Sequence, residues 1–238
     1  MKIEIWSDVV CPWCYIGKRR FETALAQFPQ RDQLEIVWKS FELDPGARSA
    51  AAAEGDNADY AERLARKYGT TVPGAQKMLD SMTDAAATEG LDFHFERAVA
   101  SNTFDAHQVI HLGLDRGVQD AVKERLLRAY FTEGEPIGDR ETLARLGAEA
   151  GLDADEVRTA LDEQRYAAAV RADESEAAAL GISGVPFFVV DRKYGVSGAQ
   201  PGDALLEVLQ RAWSEAHPLT MVSAAGDGEA CGPDGCAI

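Results

Sequence analysis

Two cysteines near the start of the chain have the clearest chemistry: Cys11 and Cys14, in the stretch WSDVVCPWCYIGKRRFE. Two thiols at this spacing, where a strand passes into a helix, are typical of a dithiol–disulfide redox centre. Cys11 would lie at the helix N-terminus, where free N–H groups and the helix dipole favour a thiolate. A fall in its pKa from about 8.5 to about 5 would correspond to roughly 5 kcal/mol of thiolate preference. Cys14, one turn further along, would face inward and reach the sulfur of Cys11.

Two other interpretations of the cysteine pair remain open at this point. The thiols could form half of a zinc site, which would need two more ligands from elsewhere in the chain, or they could be inert and buried. The basic residues that follow the pair are expected to lie on a solvated helix face, so we attribute any activation of Cys11 to the helix terminus. These residues are Lys18, Arg19 and Arg20.

The residue pattern around the pair predicts strands at both ends of the chain and helices between them. The opening is predicted as strand 2–7, helix 12–28 and strand 34–41. Residues 44 to 180 are predicted to be almost entirely helical, strands return at 186–191 and 193–198, and a last amphipathic helix covers 203–216. These elements match an α/β thioredoxin fold with an inserted all-helical domain. We expect a thioredoxin-fold domain at 1–43 and 181–216, the insertion at 44–180 and a C-terminal tail at 217–238.

Val185 and Pro186, in ISGVPFFVV, directly precede the third predicted strand. A proline at this position cannot donate a ladder hydrogen bond, so it should begin or edge that strand. A cis Val185–Pro186 bond would present the Val185 backbone to an extended peptide, whereas a trans proline would form an ordinary turn. The residues alone favour the trans form, because only about 5% of X–Pro bonds in folded proteins are cis.

The composition restricts the class of partner. The 238-residue chain carries a formal net charge of -16, which argues against nucleic acid or an anionic membrane as its partner. No run of about 18 apolar residues is present to span a bilayer, and the first residues do not read as a secretory signal. We therefore expect a cytoplasmic protein. In a reducing compartment its four cysteines would do chemistry or bind metal rather than form structural disulfides.

The motif CPWC at the start of the first helix and GVPFF before a late strand resemble the DsbA family of thiol–disulfide oxidoreductases, and more closely its FrnE-like branch. The resemblance covers residues 2 to about 216, including SNTFDAHQ at 101–108. It implies that Cys11 is the exposed nucleophile, that Cys14 is the resolving thiol and that Pro186 is a cis-proline facing them. It also implies that substrate contacts Pro12, Trp13, Val185 and Pro186.

The resemblance implies an activity as well: dithiol–disulfide exchange on protein or small-molecule thiols and disulfides, as a reductase or isomerase. No cofactor is expected, and glutathione or another cytosolic reductant would recycle the enzyme. Secreted DsbA enzymes have His where this chain has Trp13, so a strongly oxidising potential is not expected. A potential between about -270 mV, as in thioredoxin, and about -180 mV, as in protein disulfide isomerase, fits better. Trp13 would offer apolar surface to an unfolded substrate or pack over the first helical turn.

A second cysteine pair lies in the C-terminal CGPDGC, at Cys231 and Cys236. Some FrnE-like proteins carry such a pair in a C-terminal extension, and the resemblance suggests that it exchanges with the first pair. Metal capture and an unpaired tail remain alternatives. In the most specific form of the metal-binding alternative, the thiolates of both cysteine pairs would bind one zinc ion.

His107 and His111 lie one turn apart on a helix for which the sequence predicts Thr103 as N-cap. That spacing can bind metal, but no third ligand is evident at a diagnostic spacing. We therefore expect core or surface histidines and assign no metal site.

Two rival functions come from other classes. The architecture also resembles kappa-class glutathione transferases and 2-hydroxychromene-2-carboxylate isomerases, which use glutathione and usually have Ser where this chain has Cys11. The cysteine pair favours the oxidoreductase over these enzymes. The third hypothesis is a zinc-binding or holdase protein, in which Trp13 and Phe187 would hold unfolded chains.

Overall fold

The strands of the protein form one four-stranded sheet in the computed structural model, which describes residues 1–49 and 60–218. The strands are β1 (Lys2–Ser7), β2 (Glu35–Ser40), β3 (Phe187–Val190) and β4 (Tyr194–Ser197). Their order is β2-β1-β3-β4; β1 and β2 are parallel, and the other neighbouring pairs are antiparallel. Both ends of the chain therefore supply strands to a thioredoxin-fold sheet, as the sequence predicts.

Two helices pack on each other and on this sheet: α1 (Pro12–Gln27) and α9 (Gly202–Ala216). Phe21 of α1 lies against Phe188 of β3, with 5.5 Å between ring centroids. Beyond the C-terminal end of α1, the ring of Phe28 meets the edge of Trp213 at 5.9 Å. These buried aromatic contacts fix α1, and with it the cysteine pair at its first turn, relative to the sheet.

Between β2 and β3, the described residues form seven further helices, which make up the insertion. They are α2 (Tyr60–Tyr68), α3 (Val72–Thr88), α4 (Phe104–Asp115), α5 (Gln119–Arg128), α6 (Arg140–Glu149), α7 (Ala154–Asp162) and α8 (Ala167–Ala179). A π-helical segment, Ala129–Glu133, continues α5, so the hydrogen-bonding pattern changes at the end of this helix. Within residues 1–49 and 60–218, no helix is long and apolar enough to cross a bilayer.

The helix ends follow local capping chemistry. The side chains of Asp139 and Asp153 accept hydrogen bonds from backbone amides at the starts of α6 and α7, the usual role of an N-cap. Thr103 is the N-cap residue of α4, as predicted, but its side chain makes no cap hydrogen bond. Asn102 Oδ1 instead accepts the amide of Phe104 at 3.0 Å, so the residue before the N-cap supplies the side-chain acceptor.

The edge strand β2 is completed by side chains from the insertion. Gln119 of α5 accepts from the Trp38 amide and donates to the Trp38 carbonyl, both at 2.9 Å. Asp173 of α8 accepts the amide of Ser40 at 2.8 Å. An edge strand otherwise leaves such groups unpaired, so these contacts attach the inserted helices to the sheet.

The environment of Lys18 differs from the solvated helix face expected from the sequence. Lys18 is only 2% exposed, and its ammonium group pairs with Glu22, Asp120 and Glu124. The expected solvated face is therefore wrong at this position, because acidic side chains of the inserted helix α5 lie against α1. Arg20, also on α1, donates to the carbonyl of Ala199 at 2.6 Å.

Candidate active site

The cysteine pair lies at the junction of β1 and α1. Cys11 is the N-cap residue of α1 and has an extended backbone conformation, and Pro12 is the first helical residue. The Cys14 amide donates to the Cys11 carbonyl at 3.0 Å, which closes the first turn. Both cysteines are free thiols, so the structure describes the dithiol form.

The two thiols differ little in burial, which corrects part of the expectation. Cys11 is 4% exposed and Cys14 is fully buried, whereas Trp13 between them is 40% exposed. The Cys11 sulfur lies 3.5 Å from the carbonyl oxygen of Val185. The expected exposed thiol is therefore partly covered by the loop that carries Val185, although Cys11 still contributes to the wall of a cleft.

The loop before β3 meets α1 very closely. The Val185–Pro186 peptide bond is cis, and the Pro186 carbonyl accepts the amide of Gly198 at 2.8 Å. A Cβ added at Gly17 would lie 2.9 Å from Pro186 Cγ, closer than carbon atoms approach without repulsion. Glycine at this position therefore permits the contact between α1 and the Pro186 loop.

A cluster of buried polar side chains lies behind the thiols. Asp8 Oδ1 is 3.3 Å from His107 Nε2, and Asp8 Oδ2 accepts the amide of Leu43 at 2.8 Å. The ammonium group of Lys123 donates to the Ser7 carbonyl at 3.3 Å. Thus β1 and its following turn, together with the inserted helices α4 and α5, contribute to one polar cluster.

Electrostatics distinguish the two cysteines in the direction opposite to the one expected. The hydrogen bond that Cys11 donates to Cys14, followed by burial, raises the pKa of Cys11 well above its usual value. Burial alone would raise the pKa of Cys14, but the Cys11 hydrogen bond and the charge of Lys123 outweigh it and lower that pKa. The expected lowering at Cys11 is therefore absent in the dithiol form, in which Cys14 is the preferred thiolate. The preference arises first from the hydrogen bond with Cys11 and then from the charge of Lys123, a buried cation that the sequence pattern does not show.

Cys11 lies at the wall of a cleft with a volume of about 840 Å³. Its apolar part includes three exposed side chains, Trp13, Tyr68 and Met78. Its charged part is mostly basic, although the chain as a whole has a net charge of -16. The charged lining residues are Arg48, Arg63, Arg66, Lys67 and Asp44.

The predicted nucleophile Cys11 lines this cleft, together with three of the four predicted substrate-binding residues, Pro12, Trp13 and Val185. Cys14 and Pro186 are not part of the lining described. The tail residues Cys231 and Cys236 lie outside the described residues, so the predicted exchange between the pairs stays a prediction. Ser101, from the segment that resembles the family, also lines the cleft.

The two histidines of α4 do not converge on one site. His107 contacts Asp8, while His111 Nε2 lies 3.0 Å from Asp173 Oδ2 and 3.1 Å from the Ser40 hydroxyl. Both histidines are core residues, one of the two outcomes expected. In the part of the chain that the structure describes, no group of three or more His, Cys, Asp or Glu residues could hold a metal ion.

Several residues of the site were not found from the sequence. Asp8 lies three residues before Cys11 and could have been noticed as a carboxylate beside the motif. Lys123 gives no signal, because it occupies an ordinary position in a helix rich in charged residues. Tyr60 and Tyr130 also line the cleft, and burial raises the pKa of Tyr130 to about 12.

A thioredoxin fold with two paired thiols at the start of its first helix defines a class of protein, and the match to a family model identifies the family. Residues 2–210 match the family described as the DSBA-like thioredoxin domain. The chain belongs to this family. Its membership supports a thiol–disulfide oxidoreductase.

Three similar proteins accompany the family match, and the first of them supports it by its description. A solved structure described as a probable DsbA oxidoreductase from Streptomyces coelicolor is 48% identical, with a TM-score of 0.83 over 100% of this chain and 99% of that one. The uncharacterised protein YwbO of Bacillus subtilis is 27% identical over 90% of this chain and 96% of its own. The cytosolic disulfide reductase DsbM of Pseudomonas aeruginosa, solved with GSH, is 20% identical, with a TM-score of 0.60 over 89% and 100% of the two chains. The last similarity concerns the fold alone.

Proposed function

We propose that the protein catalyses dithiol–disulfide exchange through Cys11 and Cys14, as a disulfide reductase or isomerase. The observation that carries the proposal is the position of Cys11, a free thiol on the wall of an open cleft. Its sulfur is 3.5 Å from the Val185 carbonyl, so a peptide bound along that backbone would bring its own sulfur to Cys11. Cys14 lies one helical turn behind, where it can resolve the product.

The exchange begins when the shared proton moves from Cys11 to Cys14, which leaves Cys11 as the thiolate. Cys11 attacks one sulfur of a substrate disulfide RS–SR′, and the S–S bond breaks to release R′S⁻, which takes up the Cys14 proton. The Cys14 thiolate then attacks Cys11, releases RS⁻ and closes the Cys11–Cys14 disulfide. Two electrons pass from the pair to the substrate, and the same steps in reverse oxidise a dithiol.

The cleft supports glutathione as a reductant. Glutathione carries two carboxylates, and the basic side chains Arg63, Arg66 and Lys67 lie in the same cleft as Cys11, where they can attract such an anion. The P. aeruginosa DsbM, described as a cytosolic disulfide reductase, was solved with GSH. We extend both features to this chain as proposals: a cytoplasmic location, and glutathione or another thiol that recycles the pair.

The finer placement within the FrnE-like branch depends on the tail. We propose that Cys231 and Cys236 exchange electrons with Cys11 and Cys14. Replacing both tail cysteines by Ser should lower turnover or change oxidant sensitivity without abolishing exchange. If neither property changes, the tail pair has no part in the reaction.

The first experiment is a glutathione redox titration in which free thiols are counted by mass at each point. A two-thiol transition that links Cys11 to Cys14 supports the proposed function, and its midpoint separates a reductase from an isomerase. If no transition occurs and glutathione stays bound, the proposed function is wrong and a glutathione-dependent isomerase is favoured. If zinc stays bound instead, a metal site is favoured.

Two variants then separate the roles of the cysteines. Cys11→Ser should abolish insulin reduction, because the attacking sulfur is lost, and its circular dichroism should match that of the wild type. Cys14→Ser should accumulate mixed disulfides with substrate, visible as mass adducts. Retained insulin reduction in Cys11→Ser would overturn the assignment of Cys11 as nucleophile.

A further inference from the structure

Lys123 is a buried cation with few partners. Its side chain is 1% exposed, and its ammonium group donates to one backbone carbonyl, that of Ser7. The ammonium nitrogen also lies 5.7 Å from the ring centroid of Trp38. Among the described residues, no carboxylate lies within 4.0 Å of it. Burying an ammonium group without a close counter-ion is costly, so its position requires an explanation.

Lys18 shows what a structurally paired buried lysine looks like in the same protein. It is 2% exposed, and three carboxylates surround its ammonium group, those of Glu22, Asp120 and Glu124. Such pairing satisfies the charge within the fold. Lys123 lacks a comparable set, although α5 carries both Lys123 and two of the carboxylates that pair with Lys18.

Lys123 lies beside the reaction centre, because the Ser7 carbonyl that it contacts ends β1 four residues before Cys11. Three of the four titratable groups that act on it belong to that centre: the thiols of Cys14 and Cys11 and the carboxylate of Asp8. The fourth is the ammonium group of Lys18, which has the smallest effect of the four. After the effect of burial, Cys14 has the largest influence of these groups. Asp8 is already engaged by His107 and by the Leu43 amide, so Cys14 is the anion that remains for Lys123.

We propose that the ammonium group of Lys123, supplied by the inserted helix α5, stabilises the thiolate of Cys14 and thereby favours the dithiol form over the disulfide. This inference rests on the proposed exchange function and assigns to it a positioning residue outside the thioredoxin-fold strands and α1. Lys123 acts through Cys14 and does not contact the substrate.

The charge changes of the reaction explain why the effect depends on the redox state. In the dithiol form Lys123 faces one thiolate. When Cys14 attacks Cys11, an electron pair on Cys14 forms the new S–S bond and the negative charge leaves on the substrate thiolate RS⁻. The Lys123 ammonium group then stays buried without that thiolate. Burial lowers the pKa of Lys123 to about 8 even in the dithiol form, so disulfide formation should lower it further.

The test compares Lys123→Met with Lys18→Met, which removes an equally buried ammonium group from the carboxylate network instead. In glutathione buffers, Lys123→Met should shift the dithiol–disulfide equilibrium at least tenfold towards the disulfide, equivalent to about 30 mV for a two-electron couple. Its thiolate absorbance at 240 nm should also appear at higher pH. Lys18→Met should change the equilibrium less than twofold.

The results of this comparison separate the possible failures. An unchanged midpoint in Lys123→Met, or an equal shift in Lys18→Met, would overturn the role of Lys123. Absence of any two-thiol transition in the wild type would instead overturn the proposed function.

A second measurement on the unaltered chain guards against misfolding of the variants. NMR titration of the Lys123 side-chain amine should show proton affinity at least tenfold lower in the disulfide form than in the dithiol form. Equal affinities in the two forms would also overturn the proposal, whatever the variants do.

Discussion

Asp8 and Lys123 exert opposite electrostatic effects on the cysteine pair. The Asp8 carboxylate disfavours a second negative charge and contributes to the raised pKa of Cys11, after the larger effects of Cys14 and burial. Burial would also raise the pKa of Asp8 itself, but the hydrogen bond from His107 outweighs it and keeps that pKa low. The buried carboxylate and the buried amine therefore modify a charge state that depends first on burial and on the hydrogen bond between the thiols.

Asp8→Asn should make thiolate formation easier, because it removes a negative charge and keeps an oxygen that can accept the Leu43 amide. The expected result is a 240 nm thiolate absorbance that appears at lower pH than in the wild type. Loss of the charged partner of His107 should lower the free energy of unfolding by about 1–3 kcal/mol, measured by urea denaturation.

The matched control is Asp173→Asn, at another buried carboxylate that contacts a histidine. It should lower stability without moving the thiolate titration, because Asp173 is not among the groups that act on either cysteine. An equal shift of the thiolate titration in both variants would contradict a specific effect of Asp8.

At the scale of elements, the reaction centre depends on how closely α1 approaches the loop that carries Val185. Gly17→Ala would place a methyl group 2.9 Å from Pro186 Cγ, and overpacking of this kind typically costs about 1–3 kcal/mol. Because the displaced loop also supplies the Val185 carbonyl, we expect slower insulin reduction as well as lower stability.

Gly147→Ala provides the comparison for this prediction. Its Cβ would lie 3.0 Å from Val157 Cγ2, a similar clash between α6 and α7. It should lower the urea midpoint without slowing exchange per folded molecule. If both variants slow exchange to the same degree, the effect of Gly17→Ala is one of general stability.

The helices and strands were largely predictable from the sequence, but the contacts that join them were not. The alternation in β1 and the helical periodicity after Pro12 are local signals, so the strand and helix appear at the predicted places. The pairing of Gln119 with Trp38 joins residues 81 positions apart, and no local pattern encodes such a contact. The burial of Lys18 and the cation behind Cys14 were missed for the same reason. Both depend on where α5 packs.

At the scale of the whole molecule, acidic side chains exceed basic ones by 16, yet several carboxylates are buried or hydrogen-bonded. Burial acts to raise the pKa of each, but specific partners outweigh it. His107 does so for Asp8, His111 and Lys39 for Asp173, and Arg19 for Glu124. The pKa of all three is lowered in the folded state. Glu42 differs, because burial raises its pKa despite the contact with Arg171.

These directions predict how stability depends on pH. A carboxyl group with a lowered pKa in the folded state contributes stability that is fully present above its unfolded value, about 3.9 for Asp and 4.3 for Glu. That stability is lost as the pH falls through the lower folded value. The urea midpoint should therefore stay nearly constant from pH 7 to about 5 and fall steeply below about 4.5. Glu42 has a raised pKa in the folded state, so its contribution to stability depends on pH in the opposite direction. The three groups with lowered pKa values outnumber it.

Asp173→Asn tests whether the buried carboxylates cause this loss of stability in acid. At pH 7 the variant should be less stable by about 3 kcal/mol, because Lys39 and His111 lose a charged partner. Its stability should then fall less steeply in acid, since one group fewer takes up a proton on unfolding. Asp32→Asn, at a carboxylate whose side chain is 94% exposed, should leave the slope unchanged. If Asp32→Asn flattens the acid slope as much as Asp173→Asn does, the loss of stability in acid follows net charge rather than the buried contacts that hold α8 to the sheet.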